Sequence, residues 1–257
     1  MTTNVTTQPE LDAEIIEAHE KSLKYARAEG AERDMKKAAE WMRKAAEGGH
    51  PRAQTNLGFL YLAGEGVSRD PSEGLHWLSE AAKQGELQAL FNLAQLYLGG
   101  HGIPADEAKA VAFLRKAASE GHPDALYNLG LFHYNGDKGV PKDYKAAAVF
   151  FENAASANHQ ESIFSLGLCY SHGHGVEKDD SKAVSCYQKG ADMGNANCMH
   201  NLGLYYQFGA GGLPVDHEAA LDLFNRAAAL GHESALASAG KLRASLKDSD
   251  GEDSIHL

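Results

Sequence analysis

Residues 53–70 read AQTNLGFLYLAGEGVSRD, and the glycines near the end invite a phosphate-binding reading. A phosphate loop needs a preceding strand and a Lys-Ser/Thr ending, and this stretch has neither. The pattern returns at 89–106, ALFNLAQLYLGGHGIPAD, and at 162–179, SIFSLGLCYSHGHGVEKD. The stretch is one copy of a repeat, and its glycines are read as a turn between two elements.

Aligned on this stretch, the chain divides at 17–52, 53–88, 89–124, 125–161, 162–197 and 198–234, units of 36 or 37 residues. The five later units carry a triplet, Asn56-Leu57-Gly58, Asn92-Leu93-Ala94, Asn128-Leu129-Gly130, Ser165-Leu166-Gly167 and Asn201-Leu202-Gly203. A ring follows three positions later, as Tyr61, Tyr97, His133, Tyr170 and Tyr206. This spacing puts the small opening residue, the Leu and the ring on one side of a first helix, A, of about twelve residues. The triplet Gly is read as a place where another helix comes close, despite a propensity cost of about 1 kcal/mol.

Helix A ends at glycine pairs such as Gly64-Glu65-Gly66, Gly100-His101-Gly102 and Gly173-His174-Gly175, where positive φ costs nothing. An Asp follows in all six units, as Asp34, Asp70, Asp106, Asp143, Asp179 and Asp216. Each precedes Ala-rich, helix-forming sequence, so these carboxylates are read as N-caps of a second helix, B, and not as acid–base groups. Helix B carries an apolar or aromatic residue seven positions after the cap (Trp41, Trp77, Phe113, Phe150, Cys186, Leu223). It closes on Gly49, Gly85, Gly121, Asn158, Gly194 or Gly231, which suit a left-handed C-terminal cap.

The string small-x-x-Asn-Leu-Gly-x-x-Tyr-x-x-Gly-x-Gly-Val-x-x-Asp, followed by Ala-Ala-x-x-Gly, resembles the Sel-one-like repeat family, relatives of the tetratricopeptide repeat, over residues 17–234. The resemblance implies an all-α, right-handed superhelical solenoid whose A helices line a concave surface. In the first unit Lys21-Ser22 replaces Leu-Gly, as suits a terminal repeat with a more solvated face. Residues 235–246 read as a final capping helix. A single solenoid domain is expected over 10–246, between polar tails at 1–9 and 247–257 that are expected to be disordered. The fourth and sixth units each gain one residue in the turn, at 136–139 and 209–212.

Composition excludes several function classes. A net charge of −11 and the lack of any basic stripe argue against a nucleic-acid partner. Cys169, Cys186 and Cys198 are too few and too irregular for a disulfide framework or a thiolate metal site. They are read as buried thiols of a cytoplasmic protein, in keeping with an N-terminus that has no signal-peptide pattern. The stretch 193–215 lacks Asp, Glu, Lys and Arg but carries five glycines, several amides and Pro214, so membrane insertion is not expected. His172, His174 and His101 suggest a metal, yet His101 and His174 occupy one repeat position two units apart and cannot share an ion. No cofactor, metal or small-molecule substrate is expected.

Function is then sought on helix A. The twelve-residue segments from Ala53, Ala89, Ala125, Ser162 and Cys198 contain no charged residue. Their outward third, seventh and tenth positions hold Thr55-Phe59-Leu62, Phe91-Gln95-Leu98, Tyr127-Leu131-Tyr134, Phe164-Leu168-Ser171 and His200-Leu204-Gln207. A helix apolar nearly all round is either buried on both sides or offers a surface to a partner. The chain is read as a non-catalytic adaptor holding a partner peptide or helix on the concave surface. Phe59, Phe91, Tyr127, Leu131, Tyr134, Phe164, Leu168 and His200 are the candidate anchors, with Asn56, Asn92, Asn128 and Asn201 as hydrogen-bond partners.

Two alternatives accompany this reading. One is a structural spacer whose outward residues pack only between repeats. The other is a hydrolase, because some cysteine-rich secreted members of the resembled family are described as penicillin-binding or β-lactamase-like. This chain lacks their paired cysteines, and its Ser238-x-x-Lys241 stands without the accompanying Ser-Asp-Asn or Lys-Thr-Gly motifs. The C-terminal Ile255-His256-Leu257 faintly resembles a carboxylate ligand for a peptide-binding domain.

Overall fold

A computed structural model describes residues 8–27, 34–99 and 102–252, with side chains at 12–27, 34–99 and 102–247. These residues form thirteen α-helices and no strand. The A helices are α1 (Gln8–Arg27), α3 (Pro51–Ala63), α5 (Leu87–Tyr97), α7 (Pro123–Asn135), α9 (Gln160–His172) and α11 (Ala196–Phe208). The B helices are α2 (Met35–Glu47), α4 (Pro71–Lys83), α6 (Glu107–Ser119), α8 (Tyr144–Ser156), α10 (Asp180–Asp192) and α12 (His217–Ala229), and α13 (Glu233–Glu252) is a final A helix without a B partner. The chain divides into two compact units, Met1–Ala125 and Leu126–Leu257. Within each, A and B helices pair inside a repeat and B packs on the next A, as α2 on α3 and α10 on α11.

Each B helix is started by its Asp. Asp70 Oδ1 accepts from the N–H groups of Ser72 and Glu73 at 2.9 and 3.1 Å, answering donors that the first helical turn leaves open. Its own N–H donates to the carbonyl of Tyr61, the ring residue of the preceding A helix, at 2.9 Å. The same two-way clasp recurs at Asp106 to Tyr97, Asp143 to His133, Asp179 to Tyr170 and Asp216 to Tyr206. Asp34 does the same with Tyr25, so the first repeat is closed like the others despite its altered triplet.

A second series of caps starts the A helices, two residues earlier than the repeat alignment places them. His50 Nδ1 accepts from Ala53 N–H at 3.2 Å, His159 from Ser162 at 3.2 Å and His232 from Ala235 at 3.0 Å. Glu86 and Asn195 fill the same role toward Ala89 and Cys198, at 2.6 and 2.9 Å. A capping histidine must be neutral at Nδ1, because a protonated ring nitrogen can only donate and would face the positive end of the helix.

The triplet glycine is a notch for helix B. A Cβ on Gly58 would meet Leu78 Cγ at 2.8 Å, and one on Gly130, Gly167 or Gly203 would meet the ring of Phe151, Tyr187 or Phe224 at 2.5 to 2.6 Å. Leu78, Phe151, Tyr187 and Phe224 are at most 1% exposed and lie eight positions after their Asp caps, not seven. Five of the six residues at position seven are half-buried, with only Leu223 fully buried. Two of them stack on the ring residue of their own A helix, Phe113 on Tyr97 and Phe150 on His133, with centroids 5.9 and 5.5 Å apart.

The turn glycines hold separate tasks. Gly64, at φ 75°, is the left-handed residue that ends α3, and its N–H reaches Leu60 O. Gly66 lies against the start of the previous repeat's B helix, where a Cβ would sit far inside contact distance of the Met35 carbonyl.

At the ends the structure differs from expectation. Residues 8 and 9 already belong to α1, and α13 runs to Glu252 rather than 246, because neither Pro nor Gly occurs between Lys241 and Asp250. The rest of the expected tails, 1–7 and 253–257, lies outside the described residues, as do Gly30, Gly100, His101 and the C-terminal Ile255-His256-Leu257.

Two measurements test these contacts. Gly66→Ala combines left-handed strain with a displaced carbonyl and is expected to cost about 2–4 kcal/mol in denaturant unfolding. Gly85→Ala, at φ 82° with nothing within 4 Å, should cost only the conformational strain of about 1–2 kcal/mol.

The second test is pH. Burial holds His19, His50 and His200 below the ordinary histidine value, with added repulsion from His50, Arg52 and Arg27 on His19, from Arg52 on His50 and from His232 on His200. The unfolded chain therefore binds more protons than the folded one below about pH 6.5. Stability is fully present above that pH and falls as pH drops toward the depressed native values. The expected result is a Tm a few degrees lower at about pH 5 than at about pH 7, with a shallower slope in His50→Asn, which keeps a cap acceptor that does not titrate.

Candidate functional site

The outward third position of helix A is where one repeat receives the cap of the next. In the first unit His19 stacks on His50 with centroids 4.3 Å apart, and Phe91 stacks on His122 at 4.9 Å. Thr55 is 3% exposed, and its hydroxyl donates to Glu86 at 3.1 Å. In the second unit Tyr127 tilts against His159 at 4.9 Å and His200 against His232 at 4.8 Å. Phe164 packs toward Tyr187, a ring on the B helix of its own repeat, at 6.3 Å. Phe91, Tyr127 and His200 are thus half-buried joints between repeats, and Phe164 is half-buried against its own repeat's B helix, each with part of its ring still accessible.

The seventh and tenth positions divide. Phe59 is 42% exposed, whereas Leu62, one turn on, is 2% exposed. Leu131 and Tyr134 are half-buried against the cluster around Phe151, and Leu168 is half-buried. The Tyr134 hydroxyl and His174 Nδ1 are 2.7 Å apart, and His174 stacks flat on Tyr144 at 4.4 Å.

The amides differ as well. Asn56, Asn128 and Asn201 are half-buried, and Asn201 lies within hydrogen-bond reach of Tyr187. Asn92 is 7% exposed; its Oδ1 accepts from Gln88 at 3.0 Å, while its Nδ2 is buried without a partner.

On this face α1 and α3 enclose part of a cavity of about 350 Å³ whose lining includes His19, Arg27, Arg52, Asn56, Glu86 and Gln88. The repeat logic pointed to Asn56 and missed the arginines. The column containing Arg52 reads Gln88, Asp124, Glu161, Asn197 and Ser234 in later repeats, so no periodic signal marks it. The capping column (His50, Glu86, His159, Asn195, His232, with His122 at the same place before α7) is legible as one acceptor-bearing residue before each A helix from α3 onward.

A larger, shallower depression of about 880 Å³ lies along α10. Its polar groups are already engaged: Lys189 donates to Ala155 O at 3.2 Å and Gln188 to Asp192 at 2.9 Å.

Other chemistry is thin among the described residues. No group of three metal-ligating side chains comes together, and no helix is long and apolar enough to cross a membrane. Ser238 Oγ lies 3.1 Å from His200 Nε2, a nucleophile-and-base contact. The one titratable neighbour acting on His200 is His232, a second base and not an orienting acid. The three cysteines are free, and burial pushes their thiols up to about 11, 11 and 12 for Cys169, Cys186 and Cys198, the reverse of an activated nucleophile.

Comparison with known proteins agrees with this repeat geometry. The Sel1 repeat profile matches at 23–50, 51–86, 87–122, 123–159, 160–195 and 196–232, and the last five matches each enclose one A–B helix pair. Among solved structures, a Sel1 repeat protein from Oxalobacter formigenes is 31% identical with a TM-score of 0.76, over 84% of this chain and 88% of its own. A protective antigen of uropathogenic Escherichia coli strains, displaying an SLR fold, is 30% identical with a TM-score of 0.82. That match covers 92% of this chain and 51% of the antigen, so the chain spans about half of the antigen's length. An immunity protein from Pseudomonas aeruginosa is 25% identical with a TM-score of 0.51, over 86% of this chain and 81% of its own. A search of curated proteins gave no significant match. With six matched repeats covering most of its length, the chain is a member of the Sel1 repeat family, an all-helical solenoid of helix–turn–helix units.

Proposed function

We propose that the chain is a non-catalytic scaffold that holds a peptide or helix of a partner protein on the outward faces of its A helices. The observation that carries this is Phe59, a ring 42% exposed on a helix whose outward face has no charge beyond Arg52. An exposed ring beside a half-buried amide, Asn56, is the combination that anchors a side chain and a backbone together. The family supports the general role, since Sel1 repeats serve protein–protein interaction. We place the scaffold in the cytoplasm on the strength of its three free, unpaired thiols.

A hydrolase reading rests on the contact of Ser238 with His200. Without an acid to orient the imidazole, that contact serves as a joint between α11 and α13.

The test separates anchors from joints. Phe59→Ser should leave Tm within about 2 °C of the parent, as surface changes do, and should weaken capture of partners from the native extract at least tenfold. Phe91→Ser, which opens the stack on His122, should instead lose about 2–4 kcal/mol of stability. Undiminished capture by a folded Phe59→Ser variant rejects the proposal. Turnover of a β-lactam or ester by purified protein, abolished in Ser238→Ala, supports the hydrolase reading in its place.

A further inference from the structure

The cavity between α1 and α3 carries two arginines whose charges are not used. Neither Arg27 nor Arg52 has a hydrogen bond or ion pair within the described residues, although both lie close enough to His19 to repel its proton. Glu86, the one carboxylate in the lining, is committed elsewhere: its Oε2 accepts from Ala89 N–H at 2.6 Å and from the Thr55 hydroxyl at 3.1 Å. Two guanidiniums facing a single carboxylate that is already hydrogen-bonded leave the cavity net positive, in a chain whose net charge of −11 offers many alternatives for pairing. His19 Nε2 adds a buried polar atom without a partner. Such an arrangement is one anion short.

We propose that this cavity, lined by Arg27, Arg52 and Asn56, binds a carboxylate carried by a peptide partner, resting on the scaffold reading above and naming the partner's chemistry. The charge fits: two guanidiniums against the Glu86 carboxylate leave a net of one positive charge, which a carboxylate neutralises and a phosphate dianion overshoots. Guanidinium is suited to the task because its planar fork meets both carboxylate oxygens at once. The rest of the peptide has a track to follow. Arg52, Asn56 and Phe59 fall at i, i+4 and i+7 along α3, on one face. An anion on Arg52 therefore places the neighbouring backbone at the Asn56 amide and the neighbouring side chain on the exposed ring of Phe59. On the other wall His19, Leu23 and Arg27 form the matching i, i+4, i+8 stripe of α1.

The experiment uses the full chain, immobilised, and a pool of random octapeptides labelled at the N-terminus. Half of the pool ends in a free carboxylate and half is amidated, and each half is made with and without Asp and Glu. The expected result is retention of free-acid peptides and of Asp- or Glu-containing amides, with Asp/Glu-free amides weakened at least tenfold. Retention of only the free acids assigns the carboxylate to the C-terminus; retention of the acidic amides assigns it to a side chain. Arg27→Gln and Arg52→Gln, both exposed and without an ion pair among the described residues, should each reduce retention at least tenfold at unchanged Tm. Arg52→Lys, which keeps the charge and loses the fork, should fall between.

Equal retention of Asp/Glu-free amides, or indifference to both arginine changes, overturns the proposal. If peptides are then still lost on Phe59→Ser, the scaffold reading stands alone. If no peptide of any form is retained, both readings fall.

Discussion

A single aspartate per repeat joins two helices that local sequence alone would leave independent. Its side chain satisfies the open N–H groups of helix B, and its own N–H is satisfied by the carbonyl under the ring of helix A. One residue thereby ends the turn, starts a helix and fixes the distance between the two. The notch glycine depends on that closure. Only when the helices are held in this register does Gly58 stand opposite Leu78, or Gly167 opposite Tyr187, so that a missing side chain on one helix is filled by a large one on the other. Burying each such side chain is worth roughly 1.5–3 kcal/mol, more than a cap contributes alone. The clasp sets the geometry, and the burial supplies most of the stability.

Repeats then join through a different interaction. The capping residues His50, Glu86, His159 and His232 also touch the third position of the A helix before them, as His50 does with His19, Glu86 with Thr55 and His159 with Tyr127. Helix initiation and repeat stacking are thus coupled in one side chain. A change there loosens both, which explains why this column takes His, Glu and Asn but holds an acceptor-bearing residue before each A helix from α3 to α13.

How much of this was legible follows from which columns repeat themselves. The Asp caps, the triplet glycine and the turn glycines show the same residue in nearly every copy, and their physical roles followed from spacing. The A-helix cap was harder because its column is shared in chemistry and not in identity. The helix-B anchor was read one residue early, since Trp77 and Phe113 are larger than Leu78 and Leu114, although the smaller neighbours are the fully buried ones. The uncharged outward face left inter-repeat packing and partner contact both open. Its third position is half-buried or buried between helices, and its seventh position in the second repeat, Phe59, is an exposed ring.

The arginine cavity lay beyond any reading of the period, and the reason is physical. A repeat alignment compares positions one unit apart, whereas Arg27 and Arg52 occupy different columns of consecutive A helices and meet only in three dimensions. Repetition conserves what every unit needs in order to stack, so residues bound by the period are structural by default. Specific recognition requires a feature that one pair of repeats has and the others lack. In this chain the break in pattern coincides with unpaired charge, and Phe59 lies on the same face of the same helix as Arg52 and Asn56. Departure from the repeat, together with a charge left without a partner, is therefore a better guide to where a ligand sits than the conspicuous glycines that define the repeat.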